Sequence, residues 1–305
     1  MRASFAGRTD LSKVLVTDQL APQGLDVLRA SSGLEVVEST PDAVVADIAD
    51  ADGLIVRSGT KVTREVLAAA SQLKVIGRAG IGVDNVDVAA ATERGIVVVN
   101  TPEGNNVTTA EHAIALIVSL ARHIPQATAS MKAGKWEKKR FEGMELYNRT
   151  LGVIGIGNIG RIVAQRGRGL GMKIAAYDPF VSAEAAARFD IELVDLDELL
   201  SQRDTINARL LKTKDTTGLL GRAAFAKCKP GVLVVNAARG GIVDETALLE
   251  ALDSGQVGGA ALDVFVEEPP PASHPLVAHP NVICTPHLGA STEQAQVNVS
   301  IAVAE

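Results

Sequence analysis

Three side chains in the last quarter of this chain have types and settings suited to handling an acid. Arg239 lies on the turn Arg239-Gly240-Gly241, just after the apolar run 232–235. A guanidinium holds a carboxylate through two parallel hydrogen bonds. Two later segments, Asp263-Val264-Phe265-Val266-Glu267-Glu268-Pro269 and Pro286-His287-Leu288-Gly289-Ala290, add carboxylates and an imidazole. An imidazole titrates near neutral pH, so His287 can serve as general base toward a hydroxyl. A carboxylate paired with it fixes its tautomer and favours imidazolium as it forms. Glu267 and Glu268 both stand as candidates for that partner. Such a trio can hold a carboxylate, polarise the oxygen beside it and remove that oxygen's proton. His112, His123, His274 and His279 lack a comparable setting and read as structural or solvated.

A second constellation suits a dinucleotide. The apolar run 151–154 leads into Gly155-Ile156-Gly157-Asn158-Ile159-Gly160, and a helical stretch, 161–170, follows. Strand before and helix after are the context that this glycine fingerprint requires. Gly155 permits the tight turn, Gly157 lets backbone approach the pyrophosphate, and Gly160 lets helix and strand pack closely. The helix N-terminus then turns free N–H groups toward the phosphates. Asp178 ends the next strand, 173–177, at the spacing of the ribose acid. Its carboxylate accepts from the ribose hydroxyls and repels a 2′-phosphate, so NAD is expected rather than NADP.

A third group lies earlier. Arg57, followed by Ser58, ends one strand-like run, and Arg78 ends another, in Arg78-Ala79-Gly80-Ile81-Gly82. Two guanidiniums at one rim suit a phosphate clamp, and also read as a pair of solvated rim arginines. Gly80 and Gly82 are expected to expose backbone N–H groups to a substrate carboxylate.

These groups need a scaffold that brings many strand ends together. Short Val/Ile/Leu runs at 14–17, 34–38, 53–57, 75–78 and 96–100 alternate with helical stretches such as 22–30 and 64–70. The alternation implies βαβ units and parallel sheets, an α/β fold. The polar break 100–106 reads as a hinge, and an apolar helix, 107–122, follows it. A second alternating series runs from 151 to 284, and 291–305 reads as a helix. That helix has no stop signal, so the natural chain is expected to continue. At 305 residues there is room for two domains, and 47% hydrophobic content with only 3% aromatics suits sheet-and-helix cores built from Ala, Val, Leu and Ile. The net charge of −6 argues against a general polyanion binder, nucleic acid included. Two cysteines, Cys228 and Cys284, form no disulfide framework and read as buried free thiols. Residues 1–13 lack the apolar core of a signal peptide, and no run is long enough to span a membrane. A cytoplasmic protein, with no metal site, is expected.

The series Arg-Gly-Gly, Glu-Pro and Pro-His-Leu-Gly-Ala-Ser-Thr resembles that of the D-isomer-specific 2-hydroxyacid dehydrogenases, from about Lys13 to the last residue. The resemblance implies two Rossmann-like domains with a cleft between them: 1–101 with 290–305 for substrate, and 102–289 for NAD. It implies that Arg239, Glu268 and His287 are catalytic, selecting Glu268 because it immediately precedes Pro269. It implies cofactor contacts from Gly155, Gly157, Asn158, Ile159, Gly160, Asp178, Ala237, Ala238, Asp263, Gly289 and Ala290, with Asp263 near the nicotinamide carboxamide. Asp263 also reads as a plain cap at a sheet rim. Substrate contacts are implied from Arg57, Ser58, Arg78, Gly80 and Gly82, and the substrate is a small phosphorylated 2-hydroxy acid. A homodimer or tetramer through the cofactor domain is implied, with the basic stretch 132–140 around Trp136 in its dimer-forming part. Within the same family, reductases of glyoxylate and hydroxypyruvate do not need the phosphate clamp. NAD-sensing corepressor-like binding proteins share the fold. The chain departs from the family in 207–212: Arg209 stands where His is usual and Leu211 where Pro is usual. The added positive charge is expected to meet the cofactor phosphates or face water.

Overall fold

A computed structural model describes residues 11–305. The reading of 1–13 as lacking a signal peptide therefore falls largely outside the described residues. The chain forms two compact units, Met1–Asn105 with Ser291–Glu305, described from Leu11 onward, and Asn106–Ala290.

The first unit is built on five parallel strands: β1 (Ser12–Val16), β2 (Leu34–Glu38), β3 (Gly53–Val56), β4 (Val75–Arg78) and β5 (Val97–Asn100). Their order in the sheet is β2-β1-β3-β4-β5. Every residue of β3 is buried, as a central strand covered on both faces must be. Leu15, Leu54 and Ile76 from neighbouring strands are fully buried in one core with Val66 and Leu67 of helix Arg64–Ala69. On the other face, helix Glu293–Ala304 packs on helix Pro22–Ala30. A Cβ at Gly24 would lie 2.4 Å from the Ser300 carbonyl oxygen, so only glycine permits this approach. The chain reverses its direction of travel across the sheet between β1 and β3. Open α/β sheets bind ligands at such switch points, beyond the strands' carboxyl ends.

The second unit carries seven parallel strands: β6 (Thr150–Ile154), β7 (Lys173–Tyr177), β8 (Glu192–Leu193), β9 (Thr205–Ala208), β10 (Val232–Asn236), β11 (Val257–Leu262) and β12 (Val282–Cys284). The order β12-β11-β10-β9-β6-β7-β8 puts the switch point between β6 and β9. Helices Asn106–Ala121 and Asn158–Gly169 pack against each other. Ala110, Ala113 and Ile117 bury against Leu151, Val153 and Val163. On the other face, Leu199, Phe225 and Leu248 cover Ile154, Ile206 and Val234. Among the described residues Phe225 is the largest fully buried side chain; Phe265 joins it, and most of the remaining core residues are aliphatic. Cys228 is buried, whereas Cys284 is only half-buried, contrary to the expectation for both. Both are free, and burial pushes each thiol up to about 11. No helix among the described residues is long and apolar enough to cross a membrane.

Candidate active site

The carboxyl ends of β10, β11 and β12 are adjacent, because Asn236 registers with Leu262 and Leu262 with Cys284. Each strand delivers one part of the acid-handling trio. After β10, the Asn236 side chain shapes the turn: its Nδ2 donates to the Arg239 carbonyl at 2.9 Å, and its Oδ1 accepts the Ala238 N–H at 3.1 Å. Arg239 is half-buried, with Nη1 on the Ala238 carbonyl at 2.7 Å. A Cβ at Gly240 would lie 1.8 Å from the Phe265 carbonyl oxygen. Glycine here lets the Arg239 turn rest directly on the backbone that follows β11.

That backbone carries Glu268, whose Oε2 lies 2.7 Å from His287 Nδ1. Its other oxygen accepts the Phe265 N–H at 3.0 Å. Burial pushes the Glu268 carboxyl up, but His287 and the Phe265 N–H outweigh that and hold it below the usual carboxylate range. Glu267 is exposed, and the carboxylate that meets the imidazole is that of Glu268. With Nδ1 on the carboxylate, Nε2 of His287 is the nitrogen left to exchange a proton with a ligand.

Asp263, expected near the nicotinamide or as a rim cap, is held by a dense set of donors. It is 1% exposed and takes four: Thr285 Oγ1 at 2.5 Å, the Leu288 and Gly289 N–H groups at 2.7 and 2.9 Å, and His112 Nε2 at 3.1 Å. A carboxylate so saturated pins the loop that presents His287. Burial raises its pKa, but the bonds from His112, Thr285 and Leu288 prevail and lower it. Gly289 is buried, with its N–H committed to Asp263, and Ala290 follows half-buried. His112, read as structural or solvated, thus supports the candidate site; it sits on an apolar helix whose pattern does not distinguish it.

At the switch point the residues fit a dinucleotide. Gly155 has φ 97°, and a Cβ at Gly160 would lie 2.0 Å from the Gly155 carbonyl oxygen. A Cβ on Gly157 would meet no protein atom within 4 Å, so the turn is open to a close-approaching ligand. Gly157 caps the helix without a side-chain bond, and the first turn, with Asn158 exposed and Ile159 half-buried, holds no acidic residue. These are the conditions for a phosphate at a helix N-terminus. Asp178 follows β7 and accepts from the Ile156 N–H at 2.8 Å and the Phe180 N–H at 2.9 Å. It therefore braces the glycine turn from the end of β7. Ala237 is buried and Ala238 half-buried on the neighbouring turn.

Arg209 neither faces water nor reaches outward for phosphates. Its Nε donates to Asn207 Oδ1 at 2.8 Å and its Nη1 to the Ala237 carbonyl at 2.9 Å, tying β9 to β10, while Nη2 is buried without a partner. Burial lowers its pKa to about 10, against the pull of Asp263. Lys212 is exposed, with Nζ 3.2 Å from where a Cβ on Gly241 would lie.

In the first unit Val56 registers with Arg78, so Arg57 and Arg78 stand at adjacent strand ends. Both are half-buried, and Ser58 is exposed. Asp18, which the sequence patterns did not single out, accepts the N–H groups of Arg57, Gly59 and Thr60 at 2.9–3.1 Å. Asn85, also missed, donates to the Arg57 and Thr60 carbonyls at 2.6 and 2.7 Å, while Arg78 Nε reaches its Oδ1 at 3.5 Å. Arg57 Nη1 lies on the Gln19 carbonyl at 3.0 Å. The expectation that Gly80 offers its N–H to a ligand is corrected: that N–H donates to Thr101 Oγ1 at 2.7 Å. Glycine is needed there for another reason. Its φ is 140°, and a Cβ would lie 1.7 Å from Arg78 Nη1. Gly82 is buried.

Comparison with known proteins gives this geometry its family. Residues 114–289 match the NAD binding domain of the D-isomer specific 2-hydroxyacid dehydrogenases. The D-3-phosphoglycerate dehydrogenase of Archaeoglobus fulgidus is 52% identical over 296 residues, covering 96% of this chain and 56% of that protein. That of Homo sapiens is 54% identical over 290 residues, covering 94% of this chain and 54% of that protein. The chain thus spans about half the length of the curated relatives it matches. The crystal structure of the TT0316 protein from Thermus thermophilus has a TM-score of 0.88 at 35% identity, covering 96% of this chain and 94% of that one. With a paired imidazole and carboxylate, an arginine turn and a dinucleotide fingerprint on one parallel sheet, and the family domain matched over more than half of its residues, the chain belongs to the D-isomer specific 2-hydroxyacid dehydrogenases.

Proposed function

We propose that this chain oxidises the 2-hydroxyl of D-3-phosphoglycerate, giving 3-phosphohydroxypyruvate at the entry to serine synthesis. The observation that carries the reaction type is the 2.7 Å contact between His287 and Glu268, on the same sheet edge as the Arg239 turn. The substrate choice is supported by Arg57 and Arg78 at adjacent strand ends and by the shared name of the relatives.

In this reading Arg239 holds the substrate carboxylate and draws density from the C2 oxygen. His287 takes the hydroxyl proton on Nε2 as the C2–O bond gains double-bond character. Glu268, kept ionised, favours the imidazolium that results. NAD, when bound, supplies the hydride acceptor. The proton thus goes to His287, the hydride leaves C2, and a 2-oxo acid remains. Gly157 and the N–H groups after it would hold the pyrophosphate, and Asp178 the ribose. Arg57 and Arg78 would hold the 3-phosphate, with Ser58 beside them. The first unit is assigned to substrate and the second to cofactor.

The apolar surface of Trp136, Tyr147 and Met131, which are 81%, 64% and 55% exposed, supports a homodimer or tetramer through the second unit. The two free thiols, whose pKa burial raises, suit a reducing cytoplasm.

Mixing the protein with NAD and D-3-phosphoglycerate should produce NADH, read by absorbance. His287→Ala and Arg239→Ala should nearly abolish it while NADH still binds. Binding of NADH without turnover of any 2-hydroxy acid by the unaltered protein would instead assign a cofactor-sensing role.

A further inference from the structure

Behind Glu268 lies a second carboxylate–imidazole pair. Glu245 opens helix Glu245–Asp253, whose N-cap Asp244 accepts the Ala247 N–H. Glu245 Oε2 is 3.1 Å from His274 Nε2, and its Oε1 accepts the Val266 N–H at 2.7 Å. The two side chains are 21% and 15% exposed, against 37% and 45% for Glu268 and His287, so this pair is half-buried and more shielded than the other. His274 Nδ1 is buried without a hydrogen-bond partner. A proton there would be a buried, unpaired donor, so the arrangement assigns the Nε2–H tautomer, donating to Glu245. The His274 ring also meets the Phe265 ring edge-on, with centroids 5.5 Å apart.

The consequence lies in the backbone that this pair grips. Val266 is tied to Glu245, and Phe265, one residue earlier, donates its N–H to Glu268 Oε1. The same Phe265 carbonyl is the surface on which Gly240, next to Arg239, rests. Two parts of the trio are therefore referred to one short stretch of main chain. We infer that Glu245 and His274 are positioning residues, which clamp the Phe265-Val266 backbone and so aim the Glu268 carboxylate at His287. The inference rests on Glu268 acting through His287 as proposed above. Neither Glu245 nor His274 is placed to touch substrate; their effect passes through Glu268. A displacement of about 1 Å at a reacting group is enough to cost on the order of 100-fold in rate.

The test follows the Glu268 carboxyl by carbon NMR across an acid titration of the full chain, with kcat and KM for NAD measured alongside. In the unaltered protein Glu268 should titrate below the ordinary carboxylate range. In Glu245→Ala the midpoint should move back up, and kcat should fall by about 10- to 100-fold with KM for NAD unchanged. Glu245→Gln keeps an acceptor for the Val266 N–H but sets an amide donor against His274 Nε2–H, so both values should fall between those of the unaltered protein and of Glu245→Ala. A folded Glu245→Ala whose Glu268 titration and kcat match the unaltered protein overturns the inference. So does a variant that loses thermal stability alone. Should Glu245→Ala fail to fold, His274→Phe is read by the same two outcomes, because it keeps a ring against Phe265 and removes Nε2. A Glu268 shift that responds as described, in a protein that turns over no 2-hydroxy acid, supports the clamp and overturns the proposed reaction.

Discussion

His287 holds a left-handed backbone conformation, φ 54°, which is uncommon for a residue with a side chain. The loop bonds explain how it persists: the His287 N–H donates to the Asp263 and Thr285 carbonyls while the Asp263 side chain takes the next two amides. Strain of this kind clusters where a side chain must be aimed. His287→Ala should lower kcat by on the order of 10²–10⁴-fold, the usual size of a lost general base, with NADH affinity kept. Near-normal kcat would assign the base elsewhere. Asp263 has its own signature. Its pKa is lowered in the folded chain, so the linked stability is full above the unfolded carboxylate's pKa, about 3.9, and is lost as pH falls through the folded value. Asp263→Asn should flatten that acid-side loss. At neutral pH it should cost about 3 kcal/mol or more in urea unfolding, because buried donors lose their acceptor. A variant as stable as the parent would remove the loop-pinning role. The histidine and its glutamate were legible in the sequence through their flanking pattern. His112 was not, because its partners Asp263 and Thr285 lie far along the chain and no local spacing marks it.

The elements bring these residues together by sheet order. The β6–β9 switch sets the glycine turn beside the loop that carries Arg209, and a Cβ at Gly155 would lie 2.9 Å from the Arg209 carbonyl carbon. Residues 155–160 were readable because backbone geometry dictates glycine at fixed steps between a strand and a helix. The fate of Arg209 was not: whether a guanidinium turns inward depends on Asn207 and the Ala237 carbonyl, and the latter belongs to the turn after another strand. Likewise, glycine at position 80 was legible and its reason was not, since the crowding atom is on Arg78. Gly240→Ala tests the packing of the Arg239 turn. The added methyl would collide with the Phe265 carbonyl, so Arg239 must move and kcat should fall by about 100-fold while NAD binding persists. An active Gly240→Ala would mean that the turn adapts without loss. Asp178→Ala should weaken NAD and reduce the rejection of NADP, measured by calorimetry with each cofactor. Because Asp178 also braces Ile156 and Phe180, the loss of NAD affinity should exceed the gain for NADP. An unchanged preference would mean that its carboxylate serves the turn alone.

Across the whole molecule, the proposed function needs the second unit to handle the 2-hydroxy acid and the first to recognise a phosphate on it. Alternating strands and helices made two parallel sheets legible, and the last helix joins the first unit through the close contact at Gly24. Asp18 and Asn85, which order the loops of Arg57 and Arg78, were hidden because they act across strands. Phosphate recognition is decided by kcat/KM for D-3-phosphoglycerate and for unphosphorylated D-glycerate, in the unaltered protein and in Arg57→Ala and Arg78→Ala. The unaltered protein should strongly prefer the phosphorylated acid. Each variant should lose about 10- to 150-fold on that substrate alone, the size of a lost charged hydrogen bond. Equal losses on both acids, or no preference to begin with, would contradict phosphate recognition and leave a general 2-hydroxyacid dehydrogenase.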